Sequence, residues 1–277
     1  MQINNEKIKS LVLTVGSSAK LMLKERCVAV YIMGSLARGG FSEIVSDIDI
    51  GIIIEEPIEQ EDKITIDKIK TRYIQKYPSV KNNISIFWGS VDSLNGVVDE
   101  GRFPPFDRID LIDHGLLIEG TDIKPNLIRP SKKELEIAGA KFALNYLGTE
   151  EKIREFNECS LMASKGDVYI TKTILFPARF IYLARTGKIA GNDVSYQYYI
   201  DNFEGDDAAL IKLGYKWRLE SVPTSSEDII IPLNKGIAPL YHRFIDIYIE
   251  RMESYGEEGL ASQLGKWKQN IKNPSRR

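Results

Sequence analysis

Three short apolar runs in the first part of the chain predict buried strands. They cover residues 27–33 (CVAVYIM), 47–54 (DIDIGIII) and 83–89 (NISIFWG), and each is rich in β-branched or aromatic residues. A strand that is covered on both faces carries apolar side chains at successive positions, and helices are usually longer than these runs. The three runs therefore predict a sheet.

Apolar residues at helical spacing surround these strands. Residues 4–25 and 61–77 predict two amphipathic helices, the first interrupted near Gly16 and the second ended by Pro78. The stretch 101–130 contains four prolines and alternating apolar positions. It predicts a strand or a partly extended connector that closes the first domain.

From Ser131 onward the pattern is helical. A helix begins with Ser131 as its N-cap and Glu134 as the capping partner, and Gly148 ends it. Further helices are predicted over 150–164, 168–186, 193–203, 206–219 and 237–270. The predicted fold class is α+β: a mixed sheet of about four or five strands with helices on one side, followed by an all-α bundle. The predicted domains are residues 1–128 and 129–277.

The length and the charge of the chain agree with two globular domains. At roughly 150 residues per domain, 277 residues correspond to about two domains. Hydrophobic residues make up 43% of the chain, and 37 basic side chains face 39 acidic ones. A net charge of -2 argues against a broad basic face, so nucleic acid is not an expected partner.

The N-terminus and the cysteines indicate a cytoplasmic protein. Charges at Glu6, Lys7 and Lys9 interrupt the apolar core that a signal peptide needs, and no apolar run is long enough to cross a membrane. Cys27 and Cys159 have no partner at metal-ligand spacing, so neither a zinc site nor a disulfide framework is expected. No feature of the sequence predicts an oligomeric state.

The segment between the first two strands carries the candidate chemistry. Gly34 and Ser35 stand where the first strand ends, so glycine lets backbone N–H groups approach an anion and the serine hydroxyl adds a donor. Arg38 follows with a permanent charge suited to phosphate oxygens. These residues predict a phosphate-binding turn, and Ser46 is a further nucleotide-binding candidate.

Asp47 and Asp49 complete this constellation. Residues two apart on a strand point to the same side of a sheet, so the two carboxylates are predicted to lie together. Adjacent carboxylates repel unless a cation lies between them, and Mg²⁺ meets that need while also binding nucleotide phosphates. The turn and the acid pair predict metal-dependent nucleotidyl transfer, with Asp47 and Asp49 as catalytic residues and metal ligands.

The same residues resemble a known superfamily. Gly34 and Ser35 at a strand end, then eleven residues, then Asp47 and Asp49 on the next strand resemble the DNA polymerase β-like nucleotidyltransferases. Together with residues 180–200 (FIYLARTGKIAGNDVSYQYYI) and the chain length, this segment is similar to aminoglycoside adenylyltransferases of the streptomycin and spectinomycin type. The resemblance implies ATP, a small hydroxylated acceptor such as an aminoglycoside, and a role in antibiotic resistance.

By that resemblance the C-terminal helical domain contributes residues that contact the acceptor. Asp193 is one candidate, and Arg179 and Tyr182 form a polar face on the preceding predicted helix. The alternative for Asp193, which follows Gly191 and Asn192, is a helix N-cap. Both interpretations stay open at this point.

One position departs from the superfamily pattern. Its members usually carry a third carboxylate on a later strand, and the matching position here is Ser85. Three interpretations follow: a general base from residues 107–114 (DRIDLIDH), an acceptor that needs no strong base, or a protein that binds nucleotide without turnover. Transfer to a protein or to RNA, as in toxin–antitoxin pairs, is the alternative to a small acceptor.

Overall fold

The chain divides into two compact units. A computed structural model describes residues 6–76 and 84–272. The first unit, here called the sheet unit, contains Met1–Phe41 and Ser46–Pro130. The second, here called the helical unit, contains Ser42–Val45 and Ser131–Arg277.

The sheet unit contains four strands in a mixed sheet. Its elements in chain order are α1 (Glu6–Leu23), β1 (Cys27–Met33), α2 (Gly34–Arg38), β2 (Ile48–Ile54), α3 (Gln60–Lys76), β3 (Ile84–Gly89), α4 (Val91–Leu94), α5 (Pro105–His114) and β4 (Leu116–Gly120). The strand order is β3-β2-β1-β4. β1 is antiparallel to both of its neighbours, and β2 is parallel to β3. The two central strands, β1 and β2, are the most apolar runs of the chain, which agrees with their burial.

Both faces of this sheet are covered, so the expectation of helices on one side is wrong. On one face, side chains such as Ile32 and Ile50 pack against α1 and α3. On the other, Tyr31 and Met33 pack with Leu94 of α4 and Leu111 of α5. Because strand side chains alternate between faces, a continuously apolar strand requires a cover on each side.

Helix α1 is continuous, whereas an interruption near Gly16 was predicted. Gly16 is buried in the helix, and a Cβ there would lie 2.9 Å from Ile118 Cδ1. The glycine therefore allows a close approach of α1 to β4 and does not break the helix. The positions of Pro78 and Asn83, named above for a helix end and a strand start, lie outside the described residues.

The predicted connector over 101–130 contains a helix. Pro105 is the first residue of α5, a position that suits proline because its missing N–H has no partner there in any case. Ile109 and Leu111 are buried in this helix. A short apolar run of this kind fits strand and helix periods equally well, which explains the wrong prediction. The predicted strand exists only as β4, at one edge of the sheet.

The helical unit is all-α in its described part, so the predicted α+β class is confirmed. Its helices are α6 (Lys132–Tyr146), α7 (Glu150–Asn157), α8 (Cys159–Ala163), α9 (Asp167–Thr186), α10 (Asn192–Asn202), α11 (Asp206–Glu220), α12 (Ser226–Ser254) and α13 (Glu258–Asn270). The core of this unit includes the fully buried aromatic residues Tyr241, Phe244 and Tyr248 of α12. Of the helices at 6–76 and 84–272, none is long and apolar enough to cross a bilayer.

Two predicted helices are each divided in the structure. The run 150–164 is α7 and α8, separated at Glu158, and the run 237–270 is the end of α12 followed by α13. Gly256, with a φ of +74°, lies between the last two. Helix α12 also begins earlier than predicted, because Pro232 and Pro239 lie inside it and do not end it.

A buried ion pair holds the sheet unit at the end where β1 begins. Arg26 Nε and Nη2 contact the two carboxylate oxygens of Asp62 at 2.7 and 2.6 Å, and the Glu59 N–H donates to Asp62 Oδ2 at 2.8 Å. Asp62 is only 2% exposed. Burial raises the pKa of this carboxyl, but the bonds from Arg26 and Glu59 outweigh burial, so the pKa of Asp62 is lowered.

Replacing this carboxylate is predicted to cost stability in a pH-dependent way. Asp62→Asn will lower the free energy of unfolding by about 2 kcal/mol at neutral pH, because charge-assisted hydrogen bonds are lost. A lowered pKa contributes stability that is present above the unfolded value of about 3.9 and is lost as pH falls. Urea unfolding from pH 7 to 3 will therefore show the difference shrinking, and Asp67→Asn on the exposed side of α3 will show almost none. A constant difference across this range would contradict the prediction.

Candidate active site

The register of β1 and β2 brings the predicted turn against an aspartate. Met33, the last residue of β1, pairs with Asp49 of β2. Helix α2 begins at the next residue, Gly34, whose φ is +67°. A Cβ at Gly34 would overlap the Asp49 carboxylate, with Asp49 Cγ 2.9 Å away. Glycine is therefore required here both by the backbone conformation and by the close approach of the acid.

The two predicted acids lie at the start of β2. Asp49 is the second residue of the strand, and Asp47 directly precedes its first residue. Both are partly exposed, whereas Ser46, the residue before Asp47, is buried. The predicted spacing is therefore present beside the turn at Gly34, and the roles of the three residues stay predictions.

Ser85 is the neighbour of Asp49 on the third strand. In the parallel register of β2 and β3, Asp49 pairs with Ser85. Paired residues of neighbouring strands lie on the same face of a sheet, so Ser85 and Asp49 share a face. The match of Ser85 to the third carboxylate of the superfamily stays a prediction. Phe87, two residues further along β3 and therefore on the same face, is buried, with its ring centroid 5.8 Å from that of Phe103.

Asp110 of α5 contacts two residues of the predicted phosphate turn. The Gly34 N–H donates to Asp110 Oδ2 at 2.6 Å, and Arg38 Nη1 forms an ion pair with Asp110 Oδ1. Asp110 is 4% exposed. Among the other base candidates of the 107–114 segment, Asp113 pairs with Arg129, and His114 is exposed at the end of α5.

Arg38 has an unused hydrogen-bond donor in this site. Its Nε is buried and has no hydrogen-bond partner among the residues that the structure describes. A buried donor without a partner costs free energy, because it has lost its water. An anion bound at the turn would supply the missing acceptor. The residue was predicted to bind nucleotide, and this unpaired atom is consistent with that role.

The three predicted acceptor-binding residues lie in the helical unit. Asp193 is in the first turn of α10, whose N-cap is Gly191, so the prediction of Asp193 as the cap is wrong. Its carboxylate folds back toward Gly191, where a Cβ would lie 2.6 Å from Asp193 Oδ1. Tyr182 of α9 packs edge-on against Tyr198 of α10, with ring centroids 5.3 Å apart. Arg179, on the same helix as Tyr182, is partly exposed.

Tyr215 is a neighbour of Asp193 that sequence patterns did not reveal. Its ring stacks on Tyr196 with centroids 4.3 Å apart and an interplanar angle of 8°. Burial, followed by the charge of Asp193, raises the pKa of Tyr215. Asp193 therefore lies next to an aromatic pair from α10 and α11. The two tyrosines are nineteen positions apart in the sequence, so helical periodicity could not connect them.

The close approach at Gly34 is testable. Gly34→Ala is predicted to lower the free energy of unfolding by at least about 2 kcal/mol, since the new Cβ meets both an unfavourable φ and the Asp49 carboxylate. Gly96→Ala is the matched control, because Gly96 has a φ of +75° and no atom within 4 Å of its Cβ position. Urea unfolding of both variants separates the two effects. Equal losses would show that Asp49 moves aside without cost.

Comparisons with known proteins identify a domain family and a similar fold. Residues 7–96 match the family model of the nucleotidyltransferase domain. The crystal structure of spectinomycin adenyltransferase AAD(9) from Enterococcus faecialis, with ATP and spectinomycin, is similar in fold at a TM-score of 0.62 and 17% identity. That similarity covers 85% of this chain and 98% of the other. No curated protein matches the sequence. The prediction of a nucleotidyltransferase domain is confirmed for residues 7–96, and the fold of the chain is similar to that of an adenyltransferase.

Proposed function

We propose that the protein transfers AMP from ATP to a hydroxyl group of a small molecule such as an aminoglycoside. The observation that carries this proposal is the approach of Gly34 to Asp49, which places a candidate phosphate turn and a carboxylate at one corner of the sheet. Nucleotidyl transfer needs both parts together, because the polyphosphate must be held while negative charge develops at the reacting phosphorus.

The turn supplies donors for the triphosphate. The Gly34 N–H is occupied by Asp110, so we assign the phosphate contacts chiefly to the Ser35 hydroxyl and the Arg38 guanidinium. The buried Arg38 Nε, which has no partner in the described residues, supports this assignment. Because Gly34 has no side chain, a phosphate and the Asp49 carboxylate can both approach the backbone at this position. Ser46 stays a candidate nucleotide contact through its position next to Asp47.

The residues present fit a magnesium ion that is bound together with nucleotide. Within 6–76 and 84–272 no group of three or more acidic, histidine or cysteine side chains is placed to hold a metal. Asp47 and Asp49 are two oxygen ligands, and Mg²⁺ is commonly held by one or two carboxylates plus phosphates and water. The ion would neutralise phosphate charge and so favour attack at phosphorus.

The transfer itself exchanges one phosphorus–oxygen bond for another. The acceptor oxygen attacks the α-phosphorus, its bond forms as the bond to the β-phosphate oxygen breaks, and pyrophosphate leaves. The hydroxyl proton must be released to a base or to water. Ser85 beside Asp49 is no base at neutral pH, and both oxygens of Asp110 are engaged. We infer that the reaction proceeds without a carboxylate base from β3.

The acceptor assignment rests on the helical unit. The structure similar in fold was solved with ATP and spectinomycin, which supports a small hydroxylated acceptor here. Asp193, beside the stacked Tyr196 and Tyr215, offers a negative charge for a protonated amine and a flat apolar surface for a sugar ring. Arg179 and Tyr182 are kept as further acceptor contacts. An enzyme with this activity would confer antibiotic resistance.

A nucleotide-binding protein without turnover is the second candidate. The observation that favours it is Ser85 at the position of the usual third carboxylate. A transfer assay separates three possibilities: transfer to a small molecule, transfer to a protein or RNA, and nucleotide binding without turnover. Labelled drug supports the first proposal. Label on protein or RNA would mean that the acceptor is a macromolecule and not a small molecule. Nucleotide binding without any transfer supports the second candidate.

The transfer assay tests the proposed activity and the roles of the two aspartates. With labelled ATP, Mg²⁺ and a panel of aminoglycosides that includes spectinomycin, the unmodified protein will form labelled drug. Asp47→Asn and Asp49→Asn will each reduce the rate by at least about 1000-fold, since each removes a ligand of a charge-neutralising ion. Asp67→Asn, on the exposed side of α3, serves as the control with unchanged activity. Full activity of Asp49→Asn would overturn the assignment.

The inference that Ser85 does not act as a base is also testable. Ser85→Ala is predicted to change kcat less than about threefold, because Ser85 is not the general base. Loss of a general base would typically cost 10²–10⁴-fold. Steady-state kinetics with the best acceptor of the panel measure this. A fall of 100-fold or more would mean that the hydroxyl takes part in proton transfer after all.

A further inference from the structure

Asp110 has a position in the sheet unit that the proposed chemistry does not yet use. We propose that Asp110 is a positioning residue of the nucleotide site, which holds the Gly34–Arg38 turn in its phosphate-binding conformation. This inference rests on the proposed function, because the turn is the proposed phosphate site. It assigns Asp110 no contact with the nucleotide and no proton transfer.

The contacts of Asp110 join the two ends of the turn. Oδ2 accepts the N–H of Gly34, the first residue of α2, and Oδ1 pairs with Nη1 of Arg38, the last. A single carboxylate thus connects both ends of a five-residue helix. A helix this short has little stability of its own, so external contacts determine its conformation.

The carboxylate is itself held rigidly. Its neighbours in α5, Ile109 and Leu111, are buried, and Leu111 packs with Tyr31 and Met33 beneath the sheet. Arg108 Nη1 donates to the Leu94 carbonyl and so attaches α5 to α4. Asp110 therefore extends from a fixed helix toward the turn, and withdrawing it would require movement of core side chains.

This arrangement prepares Arg38 for an anion. The ion pair with Asp110 uses Nη1, whereas the buried Nε has no hydrogen-bond partner in the described part of the chain. A guanidinium that is already oriented loses less conformational entropy when phosphate binds, which strengthens binding. The opposite role for Asp110 would be that of a competitor, whose carboxylate occupies Gly34 and Arg38 in place of phosphate. The two roles predict changes of opposite sign in ATP affinity.

The sheet unit provides a matched control for this test. Asp62 is also a buried aspartate that pairs with an arginine and accepts a backbone N–H. It lies where β1 begins, whereas Gly34 follows the end of β1, about 20 Å away along the strand. Asp62→Asn therefore reproduces the structural loss of Asp110→Asn at a place far from the proposed site.

The experiment measures binding of labelled ATP with Mg²⁺ by equilibrium dialysis, together with kcat and KM for the transfer reaction. Asp110→Asn is expected to weaken ATP binding and raise the KM for ATP by roughly 10- to 100-fold, as is typical when a supporting contact of a site is lost. Asp62→Asn is expected to stay within twofold of the unmodified protein. In an Arg38→Ala background, Asp110→Asn is expected to add less than a further threefold.

Each outcome decides the proposal. Unchanged ATP affinity in Asp110→Asn overturns it, and tighter binding identifies Asp110 as a competitor of phosphate and also overturns it. If the unmodified protein binds no nucleotide, that result contradicts the proposed function, and the role of Asp110 in a nucleotide site is excluded with it. Should Asp110→Asn not fold, Asp110→Glu keeps the charge but displaces the carboxylate by one methylene, and it is expected to weaken ATP binding as well.

Discussion

The antiparallel pairing of β1 with β2 is the constraint on which the sheet unit depends. Its register places Met33 opposite Asp49, and the residue after Met33 must then pass beside a carboxylate. Only glycine fits at that position, and the same pairing buries alternate residues of both strands in two separate cores. The geometry of the candidate site is therefore a consequence of strand register, and it would be lost if the strands shifted by one residue.

Much of the sheet unit could be predicted from the sequence because its chemistry is local. Gly34 and Ser35 lie in α2, and Asp47 and Asp49 lie just before and within β2, the next element. A strand end followed by an acid pair is visible without any tertiary information. The domain match over residues 7–96 includes this whole segment. Ser85 could also be matched, because the period of the third strand determines which of its residues share a face with Asp49.

Other features depend on contacts between distant residues. Asp110 is 76 positions from Gly34, and the segment that holds it was expected to be extended. An acid between Ile109 and Leu111, both buried, was the available signal for an inward-facing carboxylate, but it does not identify the partner. Likewise, the prolines inside α12 concealed its start, since tertiary packing outweighs the local cost of a helical proline.

The central claim is that one corner of the sheet binds both the metal and the triphosphate. The most direct measurement is a crystal structure with Mn²⁺ and a non-hydrolysable ATP analogue, in which anomalous scattering locates the metal. The predicted result is a manganese ion coordinated by Asp47 and Asp49, with the phosphates bound at Ser35 and Arg38. A nucleotide bound elsewhere, or bound at this turn while neither aspartate contacts metal, would contradict the claim.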